Sequence, residues 1–133
     1  MEYKHFFIIL LLFVAVRLAL IISGVLPVLS SNSPVNILIN IIFIAIIFYM
    51  GWSLAKLGLK TVAVKTVIVM FVCVIMLCFA VLAGYAIKRP VLGVSVPSVF
   101  YLITILISSA IFNILLGMFF AVAGYWVRQR VRR

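Results

Sequence analysis

Residues 66–87 read TVIVMFVCVIMLCFAVLAGYAI, a run without a single charged side chain. About 20 apolar residues in an α-helix are enough to cross the ~30 Å hydrocarbon layer of a bilayer. Three other stretches meet this requirement, and only one of them contains a charge. We therefore predict four transmembrane helices, approximately at residues 6–29, 35–55, 62–87 and 98–127.

The composition agrees with a membrane protein. The chain has 133 residues, of which 69% are hydrophobic and 9% are charged. A soluble domain of this length needs more polar surface to cover its core. The segments between the predicted helices are too short for a further domain. We expect an all-α integral membrane protein, with residues 1–133 forming one four-helix bundle.

The basic residues predict an orientation. Eleven Lys and Arg side chains against one acid give a net charge of +10. Only Lys88 and Arg89 fall on one side of the predicted spans. The other side carries Lys4, Lys56, Lys60, Lys65, Arg128, Arg130, Arg132 and Arg133. Basic residues favour the cytoplasmic side, so we expect both termini in the cytoplasm and the chain in the cell membrane.

The same residues predict contact with lipid. Cations and aromatic rings at the ends of a span meet anionic head groups at the membrane interface. The predicted set is Lys56, Lys60, Arg128, Arg130, Arg132, Arg133, Trp52 and Trp126. Nucleic acid is not expected as a partner, because no basic segment lies on a fold that could present it.

Arg17 is the one charge near the middle of a predicted span, about 11 residues or ~16 Å beyond Phe6. A charge at this depth costs roughly 2.5–3.5 kcal/mol on insertion scales and usually faces a protein interior or a hydrated cavity. The chain's one acid, Glu2, is 15 residues or about 22 Å away. Arg17 therefore needs a partner other than an acid of its own chain.

Four partners for Arg17 are possible from the sequence. It can extend to the cytoplasmic head groups, or meet a carboxylate or cofactor of another subunit, or bind an anionic ligand such as a phosphate. It can also form hydrogen bonds with neighbouring helices, for which Tyr49 is a candidate. The intramembrane polar residues predicted to contact a ligand or partner are Arg17, Asn40, Ser108, Ser109 and Asn113.

Small residues recur every four positions and predict close helix packing. Gly117 and Ala121 continue the line of Ser109 and Asn113, and Ala80 and Gly84 form a similar pair in the third span. Such packing can occur within one chain or between copies.

The chain lacks the groups that an enzyme needs. Its one His and one acid lie in the first five residues, and Cys73 and Cys78 are about 140° apart on a helix. General acid–base catalysis and metal binding require such groups together in a pocket. We expect no enzymatic activity, no metal and no cofactor.

The length and four-span layout resemble those of small multidrug transporters. Those transporters use a Glu within the first helix, whereas this chain has Arg17 there. The resemblance therefore implies the architecture and not the coupling chemistry.

Two hypotheses of function follow. The first is a non-catalytic protein that acts through helix contacts, as a subunit or scaffold of a membrane complex or as a self-associating bundle. The second is a small oligomeric channel or carrier for an anion, a lipid phosphate or another small solute, with Arg17 and the intramembrane Asn and Ser residues lining the path.

Overall fold

The computed structural model describes residues 3–28, 32–88 and 99–131 and contains four α-helices. They are α1 (Tyr3–Ile22), α2 (Pro34–Ser53), α3 (Leu59–Ala86) and α4 (Val99–Val131), with a 3-10 turn at Ala55–Leu57. No strand occurs among the described residues. All four helices are long and apolar enough to cross a membrane, so the predicted all-helical class and helix number are confirmed.

The first helix ends at Ile22, seven residues before the predicted end. The cause is Gly24, which adopts a positive φ of 87° that other residues rarely tolerate. The Gly24 amide donates to the Ile21 carbonyl at 3.1 Å, and the next amide, of Val25, donates to Leu20 at 3.0 Å. These two bonds form a Schellman motif, which terminates the helix.

The second helix begins at Pro34, one residue before its predicted start, and ends at Ser53 rather than residue 55. The side chain of Ser33 caps the helix by accepting a hydrogen bond from the amide of Asn36 at 3.3 Å. Proline follows the cap directly, at the one helical position where its missing N–H costs nothing.

The third and fourth helices are longer than predicted at their basic ends. Gly58, with φ of 95°, precedes α3, which starts at Leu59 instead of residue 62. Helix α4 starts at Val99 and continues four residues beyond the predicted end at 127. Lys and Arg are good helix formers, so both helices extend past the apolar segment at these ends.

The contacts between helices define two ends of the bundle. The start of α1 meets the start of α3, where the Tyr3 hydroxyl donates to the Lys65 carbonyl at 3.3 Å. Arg128 near the end of α4 donates to the Trp52 carbonyl near the end of α2 at 2.8 Å. We call this the basic end, which carries Lys4, Lys56, Lys60, Lys65, Arg128 and Arg130. The opposite end holds the α1–α2 connection and the start of α4.

Two separate hydrophobic clusters fill the bundle. The cluster nearer the basic end contains residues of all four helices, including Leu10, Ile47, Val69 and Ala121. The cluster at the opposite end is built around Leu18, Ile21, Val81 and Leu102. Its members come from α1, α3, α4 and the segment that follows α1, and none comes from α2. Helix α2 is therefore packed into the bundle mainly through its second half.

Two glycines bring the backbones of α2 and α4 into direct contact. A Cβ on Gly51 of α2 would overlap the backbone carbonyl of Ala121, and a Cβ on Gly124 of α4 would overlap that of Phe48. Gly117 differs, because a Cβ added there would lie nearest to the side chain of Met70, 2.7 Å from its Cγ. The α2–α4 contact thus depends on the absence of two side chains.

Replacing either backbone-contacting glycine should weaken the fold. We expect Gly51→Ala and Gly124→Ala to lower the free energy of unfolding by about 1–3 kcal/mol, since the new methyl group meets backbone that cannot move independently. Intrinsic helix propensity acts in the opposite direction, by up to about 1 kcal/mol in favour of Ala. The measurement is the temperature at which the buried thiol of Cys73 reacts with a fluorogenic maleimide, in a Cys78→Ala background.

Gly117→Ala is the matched control for this experiment. Its new methyl group meets a flexible Met side chain that can change rotamer, so the midpoint temperature should change much less. Equal midpoints for all three variants would contradict the assignment of backbone contact to Gly51 and Gly124.

Candidate functional site

A cavity of about 310 Å³ lies between the two hydrophobic clusters. All four helices line it, and Arg17 is the charged residue among the described residues of its wall. Asn40 and Asn113 add two amides. The remaining wall is apolar and includes the rings of Phe13, Phe43, Phe112 and Phe120. The cavity thus combines one cation and two amides with a largely hydrocarbon surface.

Arg17 lies in the second half of α1, and its guanidinium is only partly satisfied. One terminal nitrogen, Nη1, donates to Oδ1 of Asn40 on α2 at 2.8 Å. The Nε–H group is buried and has no hydrogen-bond partner among the described residues. A buried donor without a partner is costly, and a charged donor more so. The site therefore offers hydrogen-bonding capacity to an additional acceptor.

The depth of Arg17 can be judged from α3. Leu77, which lines the same cavity, is 12 residues after Lys65 and 11 residues before Lys88. At 1.5 Å per residue it is about 17 Å along the helix from each of these flanking cations. Arg17 thus lies near the middle of the apolar layer of the bundle. It was also predicted near the middle of its own span, but the early end of α1 leaves only five residues beyond it.

Asn40 fixes the position of the guanidinium from the neighbouring helix. Its Oδ1 accepts from Arg17, which leaves its NH₂ group as a further donor. Asn36, one turn earlier, has a different role although both amides share a face of α2. It is 1% exposed, and its Nδ2 donates to the Val28 carbonyl at 2.7 Å. Asn36 therefore holds the α1–α2 connection, and Asn40 belongs to the cavity.

The polar residues of α4 also differ in role, because one of them lines the cavity and the others do not. Asn113 lines the cavity, but its Nδ2 donates to the carbonyl and the hydroxyl of Ser109 at 2.8 and 3.2 Å. Its donors are thus engaged within its own helix. Ser109 supports Asn113 without lining the cavity itself, and Ser108 is exposed and outside the cavity. Tyr49 packs against Phe6. The structure brings together Arg17, Asn40 and Asn113 of the predicted polar set.

The small residues of α3 and α4 are used within the chain. Gly117, Ala121 and Gly84 are buried, and Ala80 packs against the cluster at the opposite end. The sequence left open whether these stripes join helices of one chain or of several. In this bundle the described contacts of Gly117 and Ala121 are with α3 and α2 of the same chain.

The described residues of the set predicted to meet head groups lie together at the basic end, and two of them also take part in packing. Lys56, Lys60, Arg130 and Trp126 are exposed. Trp52 and Arg128 are partly buried, and the Arg128–Trp52 bond satisfies a carbonyl in the last turn of α2. A cation at a helix C-terminus is also favoured by the helix dipole. Arg132 and Arg133 lie outside the described residues.

Sequence reasoning missed the apolar part of the site. The four phenylalanines of the cavity wall looked like ordinary residues of apolar spans, and a pair of them, Phe13 and Phe43, stack at 5.7 Å across α1 and α2. A spacing of three to four residues between Phe13 and Arg17, and between Asn40 and Phe43, places each pair on one helix face. This pattern could have indicated a mixed aromatic and polar surface.

Comparisons with protein-family models, with curated proteins and with solved structures found no match. Among the described residues, no group of three His, Cys, Asp or Glu side chains lies close enough to hold a metal ion. The interpretation of the cavity therefore depends on its own residues.

The bond between Arg17 and Asn40 should contribute measurably to stability. We expect Asn40→Leu to lower the free energy of unfolding by about 0.6–2 kcal/mol, because it leaves a second donor of Arg17 without its acceptor. Thr104→Val is the control, since the exposed Thr104 hydroxyl donates only to Phe100 of its own helix at 3.0 Å. The midpoint of thermal Cys73 labelling reports both variants. If Thr104→Val lowered the midpoint temperature as much as Asn40→Leu, the loss of stability could not be attributed to the bond between Arg17 and Asn40.

Proposed function

We propose that this chain is a non-catalytic membrane protein that binds an anion in the cavity around Arg17. Arg17 supplies the counter-charge, and Asn40 holds the guanidinium in place and offers a second donor. This is the binding step that a small carrier for an anion or a lipid phosphate requires. Of the two hypotheses from the sequence, the geometry supports the second better.

The observation that carries the proposal is a guanidinium inside the bundle with unused donor capacity. Arg17 faces a cavity shared by all four helices, its Nε–H is buried without a partner among the described residues, and the chain's one acid precedes α1. A buried charge is normally paired. An anion in the cavity would neutralise the charge and accept from the free donors.

Other partners for Arg17 receive less support. The guanidinium donates to Asn40 on the neighbouring helix α2, and Leu77, which lines the same cavity, is about 17 Å along α3 from either flanking lysine. The small-residue stripes, which could have joined subunits, are occupied by contacts within the chain.

The lateral surface supports placement in a membrane. Large apolar side chains are exposed along all four helices, including Phe79 at 70%, Phe100 at 80% and Phe119 at 66%. Monomeric soluble proteins rarely expose contiguous apolar patches of more than a few hundred Å². We place the basic end on the cytoplasmic side of the cell membrane, where its cations meet anionic head groups.

The orientation can be tested with two lysines at opposite ends of α3. Lys60 and Lys88 are both exposed, and each is replaced by Cys in a Cys73→Ala, Cys78→Ala background. With a membrane-impermeant maleimide added to intact cells, we expect labelling at position 88 and none at position 60 until the cells are opened. The reverse pattern, or equal labelling of both, would refute the orientation.

Anion binding should require the charge of Arg17. Two probes are titrated into the protein in neutral detergent: dimethyl phosphate, which is soluble, and phosphatidylglycerol, which carries the same phosphodiester on acyl chains. Because a ligand of the folded state stabilises it, the rise in the midpoint temperature for labelling of the buried Cys73 thiol, in a Cys78→Ala background, reports occupancy. We expect at least one probe to bind saturably. Arg17→Gln should raise its Kd by about 10- to 150-fold, the equivalent of a charged hydrogen bond of about 1.5–3 kcal/mol.

Two further variants complete this experiment. Asn40→Asp introduces a carboxylate at the atom that now lies 2.8 Å from Arg17, so an internal ion pair should replace the ligand and abolish binding. Arg130→Gln removes an exposed cation at the basic end and should leave the Kd unchanged. Failure of both probes to bind saturably, or equal binding to the Arg17→Gln protein, would overturn the proposed function.

A further inference from the structure

We infer that the anion is the singly charged head group of an amphiphile, whose hydrocarbon chain leaves the cavity sideways where α2 stands away from the bundle. This inference rests on the proposed function and adds to it a ligand class and a route. Three features of the cavity support it: the packed side chains at its two ends, the opening on its side, and the largely apolar wall.

Both ends of the cavity are closed by packed side chains. Toward the basic end, Ile47, Met70 and Cys73 belong to the first hydrophobic cluster and also line the cavity. Toward the opposite end, Leu18 lines the cavity and belongs to the second cluster, with Ile21 beyond it. A hydrated ion that approached from water at either end would have to pass a packed apolar layer.

The side of the bundle is open instead. The first half of α2 contributes no residue to the second cluster, and most of its large apolar residues are exposed. Two residues of the cavity wall, Asn40 on α2 and Phe112 on α4, are themselves exposed, Phe112 at 65%. The cavity therefore communicates with the lateral surface, which in a membrane faces lipid chains. A lipid-like molecule already resides in that environment.

The single positive charge of Arg17 and the apolar wall of the cavity both favour a singly charged amphiphile. One cation in the described wall balances one negative charge, and a second negative charge would remain uncompensated in a surrounding of low dielectric constant. The NH₂ group of Asn40 and the Arg17 donors can replace part of the hydration of one oxyanion, such as a phosphodiester. The surrounding phenylalanine rings cannot hydrate a free ion, but they solvate an alkyl chain well.

The experiment compares two phenylalanines of α4 with the same exposure. Phe112 lines the cavity and is 65% exposed, whereas Phe119 is 66% exposed on the lateral surface and does not line it. Each is replaced by Trp in a chain whose Trp52 and Trp126 are changed to Phe. The probe is phosphatidylglycerol brominated on its acyl chains, which quenches nearby Trp fluorescence. Phosphatidylcholine with the same brominated chains is the zwitterionic control.

We expect brominated phosphatidylglycerol to quench Trp at position 112 saturably, at a mole fraction in the micelle at least tenfold lower than phosphatidylcholine requires. Arg17→Gln should remove the saturable component. Trp at position 119 should show only weak quenching that grows in proportion to the mole fraction of either lipid. Wild-type protein should bind phosphatidylglycerol in the Cys73 assay at least tenfold more tightly than dimethyl phosphate.

The outcomes separate this inference from the function on which it rests. If dimethyl phosphate binds with dependence on Arg17 while phosphatidylglycerol does not, the anion site stands and the amphiphile is refuted. Equal, non-saturable quenching at positions 112 and 119 refutes the lateral route of the chain. If neither phosphodiester binds, the proposed function fails together with the inference.

Discussion

The close contact of α2 with α4 determines where the rest of the bundle has room. Gly51 and Gly124 let the two backbones touch near the basic end, and Arg128 closes the end of α2 there. This contact holds the second half of α2, and the first half lies on the other side of it from the basic end. The first half of α2 accordingly contributes nothing to the second hydrophobic cluster, and the cavity lies between the two clusters.

Arg17 lies at the place where the helices separate, and this placement makes a charge tolerable inside an apolar bundle. The amide oxygen of Asn40 accepts from the guanidinium at 2.8 Å, and the cavity leaves room beside the charge for a further acceptor. This polar contact connects α2 to α1 beside the stacked rings of Phe13 and Phe43. The same bond thus serves the fold, by holding α2, and the site, by orienting the cation.

The sequence allowed the helix number, the class and the residue Arg17 to be predicted, because hydropathy and an isolated charge are local properties of the chain. The end of α1 was missed because Gly24 lies within an apolar run, and its positive φ is visible only in the structure. The pairing of Arg17 with Asn40, and the absence of Ser108 from the cavity, depend on the rotation of each helix about its axis. That rotation is set by contacts such as those of Gly51 with Ala121, which hydropathy does not encode.

A bundle of four helices without an acid in its interior has limited means to compensate a cation. It can hydrate the charge, which needs a path to water, or it can accept an anion. The two hydrophobic clusters close the path to water at both ends, while the exposed residues Asn40 and Phe112 connect the cavity to the lateral surface. In a membrane that surface meets the hydrocarbon chains of lipids, and an anion that carries such a chain can approach the opening from within the bilayer. The position of the opening, more than the charge itself, therefore argues for an amphiphilic ligand.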